Sequence, residues 1–87
     1  MSQMDEVDNA IIKTIFDRNA PFTSFIKVED IQFNLPHNFK ITMDELQDRL
    51  ELIQKRTKYI ELARGAGQIH SARLTADGRQ YERKRRA

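Results

Sequence analysis

The chain contains no cysteine, and this absence excludes both a disulfide-stapled scaffold and metal sites built from thiolates. Long hydrophobic runs are also missing, since no apolar stretch approaches the roughly 20 residues that a membrane-spanning helix needs. The first nine residues, MSQMDEVDN, are acidic and have no apolar segment of the kind found in a secretory signal. These absences predict a cytoplasmic protein that does not associate with membranes.

Residues suited to catalysis are scarce. His37 and His70 are the only histidines, and neither has cysteine or carboxylate neighbours at a recognised metal-ligand spacing. The sequence contains neither of the glycine-rich nucleotide-binding motifs and no nucleophile elbow. We therefore expect no enzymatic activity, no metal ion and no cofactor.

Charge is plentiful and unevenly distributed. The 87 residues leave room for a single domain, residues 1–87, with one small core. Residues 1–53 carry ten acids and five bases, a net charge of −5, whereas residues 54–87 carry ten bases and three acids, a net charge of +7. Such segregation creates a local positive field although the whole chain is only +2. A polyanionic partner is favoured, and attraction between the two halves of the molecule is the alternative explanation.

The first half predicts two helices and a short strand. Residues 4–19 are expected to form a helix because their apolar side chains recur every three to four positions, and Pro21 is expected to end it. The β-branched and aromatic run at 25–28 predicts a short strand. Residues 29–35 predict about two helical turns before Pro36.

A third helix has the clearest start signal. Thr42 and Glu45 form a T-x-x-E capping box, which predicts a helix from residue 42 to about 57. Its exposed face is acidic at the start and basic at the end, the order that the helix macrodipole prefers. The apolar face repeats at helical spacing and consists of Met43, Leu46, Leu50 and Ile53.

The last third predicts a β-hairpin and a short helix. Residues 59–74 have strand-like periods on either side of Gly65–Gly67, which supply the glycines that a tight reversal requires. Thr75 is expected to begin a terminal helix that Tyr81 anchors, while residues 82–87 form a basic tail for which a disordered state is one interpretation.

This order of elements resembles the winged helix-turn-helix domain, an α+β fold of three helices with a small antiparallel β-hairpin wing, here followed by a short C-terminal helix. Residues 28–53 resemble the helix-turn-helix, and residues 59–81 resemble the wing and its exit. The stretch LTADGRQY, residues 74–81, is similar to the Leu-Thr-x-x-Gly-Arg closing motif of MarR- and PadR-type bacterial transcription regulators.

The resemblance implies a small transcriptional regulator whose partner is double-stranded DNA, bound with or without sequence preference. In such domains the wing reaches phosphates or the minor groove, and the turn and helix start contact the backbone. Basic residues at the end of the third helix and at the C-terminus add electrostatic attraction. The predicted nucleic-acid-binding residues are Asn38, Lys40, Thr42, Lys55, Arg56, Lys58, Arg64, Gln68, His70, Arg73, Arg79, Arg83, Lys84 and Arg85.

Two features depart from the family pattern. No glycine separates the third helix from the wing, so Thr57 or Lys58 must end that helix. Asp44, Glu45 and Asp48 stand at the helix start, where phosphates would repel them. A protein-interaction module with a partner on the acidic face is therefore the alternative function, and exposed phenylalanines would favour it. Any homodimer is expected to form through the first helix.

Overall fold

The computed structural model describes residues 4–18 and 24–86 and contains the predicted succession of elements. Pro21 lies outside the described residues, so its predicted part in ending the first helix stays a prediction. Within the described residues, no helix has the length and apolarity needed to cross a membrane. The elements are α1 (Glu6–Arg18), β1 (Ile26–Lys27), α2 (Val28–Asn34), α3 (Met43–Arg56), β2 (Ile60–Gly65), β3 (Gln68–Leu74) and α4 (Ala76–Arg86).

The three strands form one antiparallel sheet in the order β1-β3-β2, and β2 and β3 form the wing. The wing reverses through Ala66 and Gly67, whose φ angles are 54° and 78°. Gly65 instead belongs to β2 and pairs with Gln68, so only one of the two glycines supplies a left-handed conformation. Ala66 also adopts a left-handed conformation, which is unfavourable for a residue that carries a Cβ.

The ends of α3 match the sequence-based prediction. Glu45 donates its backbone N–H to the Thr42 hydroxyl, and the Glu45 carboxylate accepts from the Thr42 backbone N–H, each at 3.2 Å. At the other end, the Thr57 hydroxyl donates to the Ile53 carbonyl at 2.7 Å and accepts from the Tyr59 N–H at 3.1 Å. A threonine side chain thus satisfies the helix end in the absence of a glycine.

The first helix begins with a cap that the periodicity did not indicate. The Asp5 carboxylate accepts from the Asp8 backbone N–H at 2.9 Å, so Asp5 is the N-cap and α1 begins at Glu6. The buried apolar face of α1 packs against α2, α3 and the sheet in a single core. This arrangement is the winged helix-turn-helix fold that the sequence predicts. The fully or almost fully buried core residues include Ile11, Ile12, Ile15, Ile31, Leu46, Leu50, Ile53, Ile60, Ile69 and Leu74.

The closing motif attaches α4 to the segment between α3 and β2. The Thr75 N–H donates to the Tyr59 carbonyl at 2.9 Å, and the Thr75 hydroxyl donates to the Lys58 carbonyl. The same hydroxyl accepts from the Gly78 N–H at 3.1 Å and so caps the helix. The Arg79 guanidinium donates to the Leu74 carbonyl at 3.3 Å. Each defining residue of the motif therefore has a structural contact in this fold.

Residues 82–86 continue α4, which differs from the interpretation of residues 82–87 as a disordered tail. The fully buried Glu82 carboxylate accepts from Nε of Arg85 at 3.0 Å and from Nε of Arg86 at 2.9 Å. Arg86 also pairs with Asp17 of α1 and stacks its guanidinium 4.4 Å from the Phe16 ring centroid. Basic residues at a helix C-terminus are favoured by the macrodipole as well. The basic segment is therefore helical because its charges interact with Glu82, with α1 and with the helix dipole.

Candidate nucleic-acid interface

The third helix lies along the wing. The Gln47 side chain donates to the Ile69 carbonyl and accepts from the Ile69 N–H, both at 3.1 Å, which fixes the first half of α3 against β3. At its far end α3 leads through residues 57–59 into Ile60, which pairs with Leu74. The helix is about 21 Å long. Its start therefore lies towards the wing tip, and its end lies beside the beginning of α4.

The predicted contact residues consequently fall into separate groups rather than one surface. The wing surface lies around the start of α3 and the distal half of the wing. It consists of Asn38, Lys40, Thr42, Arg64, Gln68 and His70. The α3–α4 cationic surface lies around the end of α3 and the exposed side of α4. It consists of Lys55, Arg56, Lys58, Arg83 and Lys84.

Acidic side chains dominate the neighbourhood of the wing surface. Nη1 of Arg64 lies 3.0 Å from Oε1 of Glu51, and both side chains are about half exposed. Asp44 and Asp48 are exposed on the same helix. The Thr42 hydroxyl is already engaged in its capping box. A phosphate approaching this surface would therefore meet one exposed lysine, Lys40, a neutralised arginine and several carboxylates.

The α3–α4 cationic surface has a different electrostatic character. Its five side chains are exposed and form no ion pair within residues 4–18 and 24–86. The Tyr59 and Tyr81 rings stack with centroids 4.5 Å apart, so the first half of α4 is packed against the segment that follows α3. The two basic segments are therefore neighbours in the fold.

The other predicted contact residues have intramolecular partners. Nε of Arg73 lies 3.2 Å from Oε1 of Glu61, and the Arg73 guanidinium lies 4.5 Å from the Phe25 ring centroid. Arg79 bonds to the end of β3, and Arg85 pairs with the buried Glu82. These three arginines stabilise the wing base and α4 in the fold as described.

A charge cluster that the sequence reasoning missed anchors α3 to α1. Nη1 of Arg49 lies 2.5 Å from Oδ2 of Asp5 and 3.3 Å from Oδ1 of Asp8. The backbone N–H of Asp8 lowers the pKa of Asp5, and Arg49 adds to the effect, whereas burial raises the pKa of Asp8. The D-x-x-D spacing indicates the cap, but no local signal indicates Arg49, because it is 44 residues away from Asp5.

Two phenylalanine side chains are exposed elsewhere on the part of the protein that the structure describes. Phe33 on α2 is 83% exposed, beside a shallow groove that Pro36, Phe39 and Ile41 help to line. Phe25 is partly exposed under the Arg73 guanidinium. Across the described residues, no group of three or more histidine or carboxylate side chains is arranged to hold a metal ion.

Comparison with known proteins supports the fold but does not identify a family or a function. No protein-family model matches the chain, and no curated protein matches it significantly. Among solved structures, the chain is similar to the crystal structure of SSV1 F-93, with a TM-score of 0.60 and 13% sequence identity. The similarity covers 95% of this chain and 84% of that one. At this identity the likeness concerns the architecture of three helices, wing and terminal helix.

Proposed function

We propose that this chain is a small cytoplasmic transcriptional regulator that binds double-stranded DNA. The observation that carries the proposal is a winged helix-turn-helix fold in which six predicted contact cations form no ion pair within the described ranges. Unpaired cations of this kind attract the phosphate backbone and release its condensed counterions on binding. The six residues are Lys40, Lys55, Arg56, Lys58, Arg83 and Lys84.

The direct test is a fluorescence-polarisation titration with a random-sequence DNA duplex at two salt concentrations. Binding through several phosphates should weaken by orders of magnitude between about 50 and 200 mM salt. A matched titration with single-stranded DNA of the same length measures the preference for duplex. The proposal would be contradicted if the chain did not bind the duplex at the lower salt concentration, or if its affinity were the same at both concentrations.

Membership of the MarR or PadR type is a narrower proposal. It is supported by the LTADGRQY stretch alone, whose defining residues bond to the segment after α3, to one another and to the end of β3. In this chain these contacts connect α4 to the wing and to the segment after α3, which is a structural role. The motif therefore supports the architecture more strongly than it supports one regulator family.

A protein-interaction module is the alternative function, and the exposed ring of Phe33 favours it. An apolar contact through this ring would respond little to salt, in contrast to a phosphate contact. The predicted dimer through α1 stays a prediction. The side chains that α1 leaves most exposed are polar, namely Glu6, Lys13, Asp17 and Arg18.

A further inference from the structure

We propose that DNA docks on the α3–α4 cationic surface, and that the wing and the start of α3 are peripheral to the contact. This inference rests on the proposed function and specifies its binding surface. In the typical helix-turn-helix geometry, the N-terminal residues of the recognition helix contact base edges. The charge distribution of this molecule disfavours that geometry.

The start of α3 is unsuited to a phosphate backbone. Residues 42–54 carry four acids and one base, and that base, Arg49, is paired with Asp5 and Asp8. Arg64 of the wing could offset these negative charges, but it forms an ion pair with Glu51. Bringing duplex DNA onto this surface would place carboxylates against phosphates and would require the Arg64–Glu51 pair to break.

The other end of α3 has the opposite charge. Residues 55–59 contain three bases and no acid, while residues 79–86 contain five bases and one acid, the buried Glu82. The pairing of Glu82 with Arg85 and Arg86 leaves Arg83 and Lys84 exposed and without an ion pair in the described part of the chain. Lys84 lies about 9 Å along the helix axis from Gly78.

Contacts between residues 75–78 and residues 58–59 keep the cations of α4 near those at the end of α3. Gly78 packs directly on Tyr59, and Thr75 bonds to the carbonyl of Lys58. The cations of α4 are therefore held at a fixed position relative to those of residues 55–58. Because the backbone positions of these cations are already fixed relative to one another, only their side chains lose conformational freedom when they bind phosphates.

Two double variants that each remove two positive charges separate the surfaces. Lys55→Gln with Lys58→Gln alters the α3–α4 cationic surface, and Lys40→Gln with Arg64→Gln is the matched change on the wing surface. Duplex affinity is measured for both across a salt series, with thermal unfolding as the control for folding. A third variant, Arg83→Gln with Lys84→Gln, tests α4 separately from α3.

The inference predicts that the first and third variants bind at least tenfold more weakly at low salt. The slope of log affinity against log salt should become shallower by about 0.9 for every phosphate that the variant no longer neutralises. The wing variant should bind within about twofold of the unmodified chain. An equal or larger loss of affinity in the wing variant would overturn the inference while leaving DNA binding intact. Absence of salt-sensitive binding by the unmodified chain would overturn the proposed function and this inference together.

Discussion

The carbonyl oxygen of Tyr59 lies only 2.0 Å from the position that a Cβ on Gly78 would occupy. The obstacle is backbone, fixed by the hydrogen bond from Thr75 to that same carbonyl, so it cannot swing aside as a side chain would. The terminal helix and the segment between α3 and β2 are consequently in contact through a position that has room only for hydrogen.

Gly78→Ala should therefore destabilise the protein by about 3 kcal/mol, the upper end of what overpacking usually costs. The matched control is Gly65→Ala, because a Cβ at that position meets nothing within 4 Å. We expect this control to lie within about 0.5 kcal/mol of the unmodified chain in urea unfolding. Similar midpoints for the two variants would show that α4 can move away from Tyr59 at little cost.

The wing tip should gain stability from Ala66→Asn. Ala66 has a φ of 54° and precedes Gly67, so the variant creates an Asn-Gly pair at a two-residue reversal, the favoured sequence for such turns. We expect a gain of about 1 kcal/mol in the free energy of unfolding. Gly67→Ala is the counterpart, with a decrease of similar size because its φ is 78°. Equal stability of the two variants would contradict the left-handed reversal.

The hydroxyl of Tyr81 should contribute more to stability than that of Tyr59. Tyr81 donates to Oδ1 of Asn9 at 2.6 Å and thereby connects α4 to α1. The Tyr59 hydroxyl has no hydrogen-bond partner in the described residues, although the two rings stack. Tyr81→Phe should cost about 1 kcal/mol, whereas Tyr59→Phe should be nearly neutral. A cost for Tyr59→Phe as large as that for Tyr81→Phe in chemical unfolding would count against this assignment.

The cluster of Asp5, Asp8 and Arg49 should make stability depend on pH. The lowered pKa of Asp5 means that its ionised form stabilises the fold fully above its ordinary value of 3.8, and that this contribution disappears as pH falls through the lower folded-state pKa. The raised pKa of Asp8 acts in the opposite sense, because ionisation of this buried carboxyl opposes folding as pH rises through that pKa. Arg49 favours the ionised form of both residues.

Arg49→Gln should consequently cost about 1 kcal/mol at neutral pH, a modest value because the guanidinium is partly exposed. The difference should shrink at a pH below the folded-state pKa of Asp5, where both carboxyls are protonated. Arg64→Gln is the control. The Arg64–Glu51 pair is more exposed on average than the pairs of Arg49, so it should contribute less to the free energy of unfolding. A penalty for Arg49→Gln that does not change with pH would indicate that its packing matters and its charge does not.

The elements that sequence alone predicts are those whose signals are local. The capping box at Thr42 and the apolar repeat behind it predicted the boundaries of α3 to within one or two residues. The two strands around Ala66 and Gly67 followed from their change of period. Each of these signals lies within a few positions of the structure that it specifies.

The features that the sequence did not disclose depend on contacts between distant positions. Nothing near Arg49 indicates Asp5, and nothing near Arg86 indicates Asp17, which is 69 residues away. Such pairing decides which cations remain exposed for a ligand, so the sequence indicated the basic residues without dividing them into two surfaces. The order of residues 82–86 was missed for the same reason, because it depends partly on Asp17 and Phe16 of α1.

The helical state of the basic segment also affects how long the chain would survive trypsin. Trypsin cleaves after lysine and arginine, and residues 83–86 are four consecutive basic residues. The peptide bonds that follow them would be among the first to be cut if the segment were not helical. Cleavage of a helical segment requires it to open locally, and here opening would separate two arginines from the buried carboxylate of Glu82. Digestion at these bonds should therefore report the opening of α4 away from α1, and it should accelerate when Asp17 is replaced by asparagine.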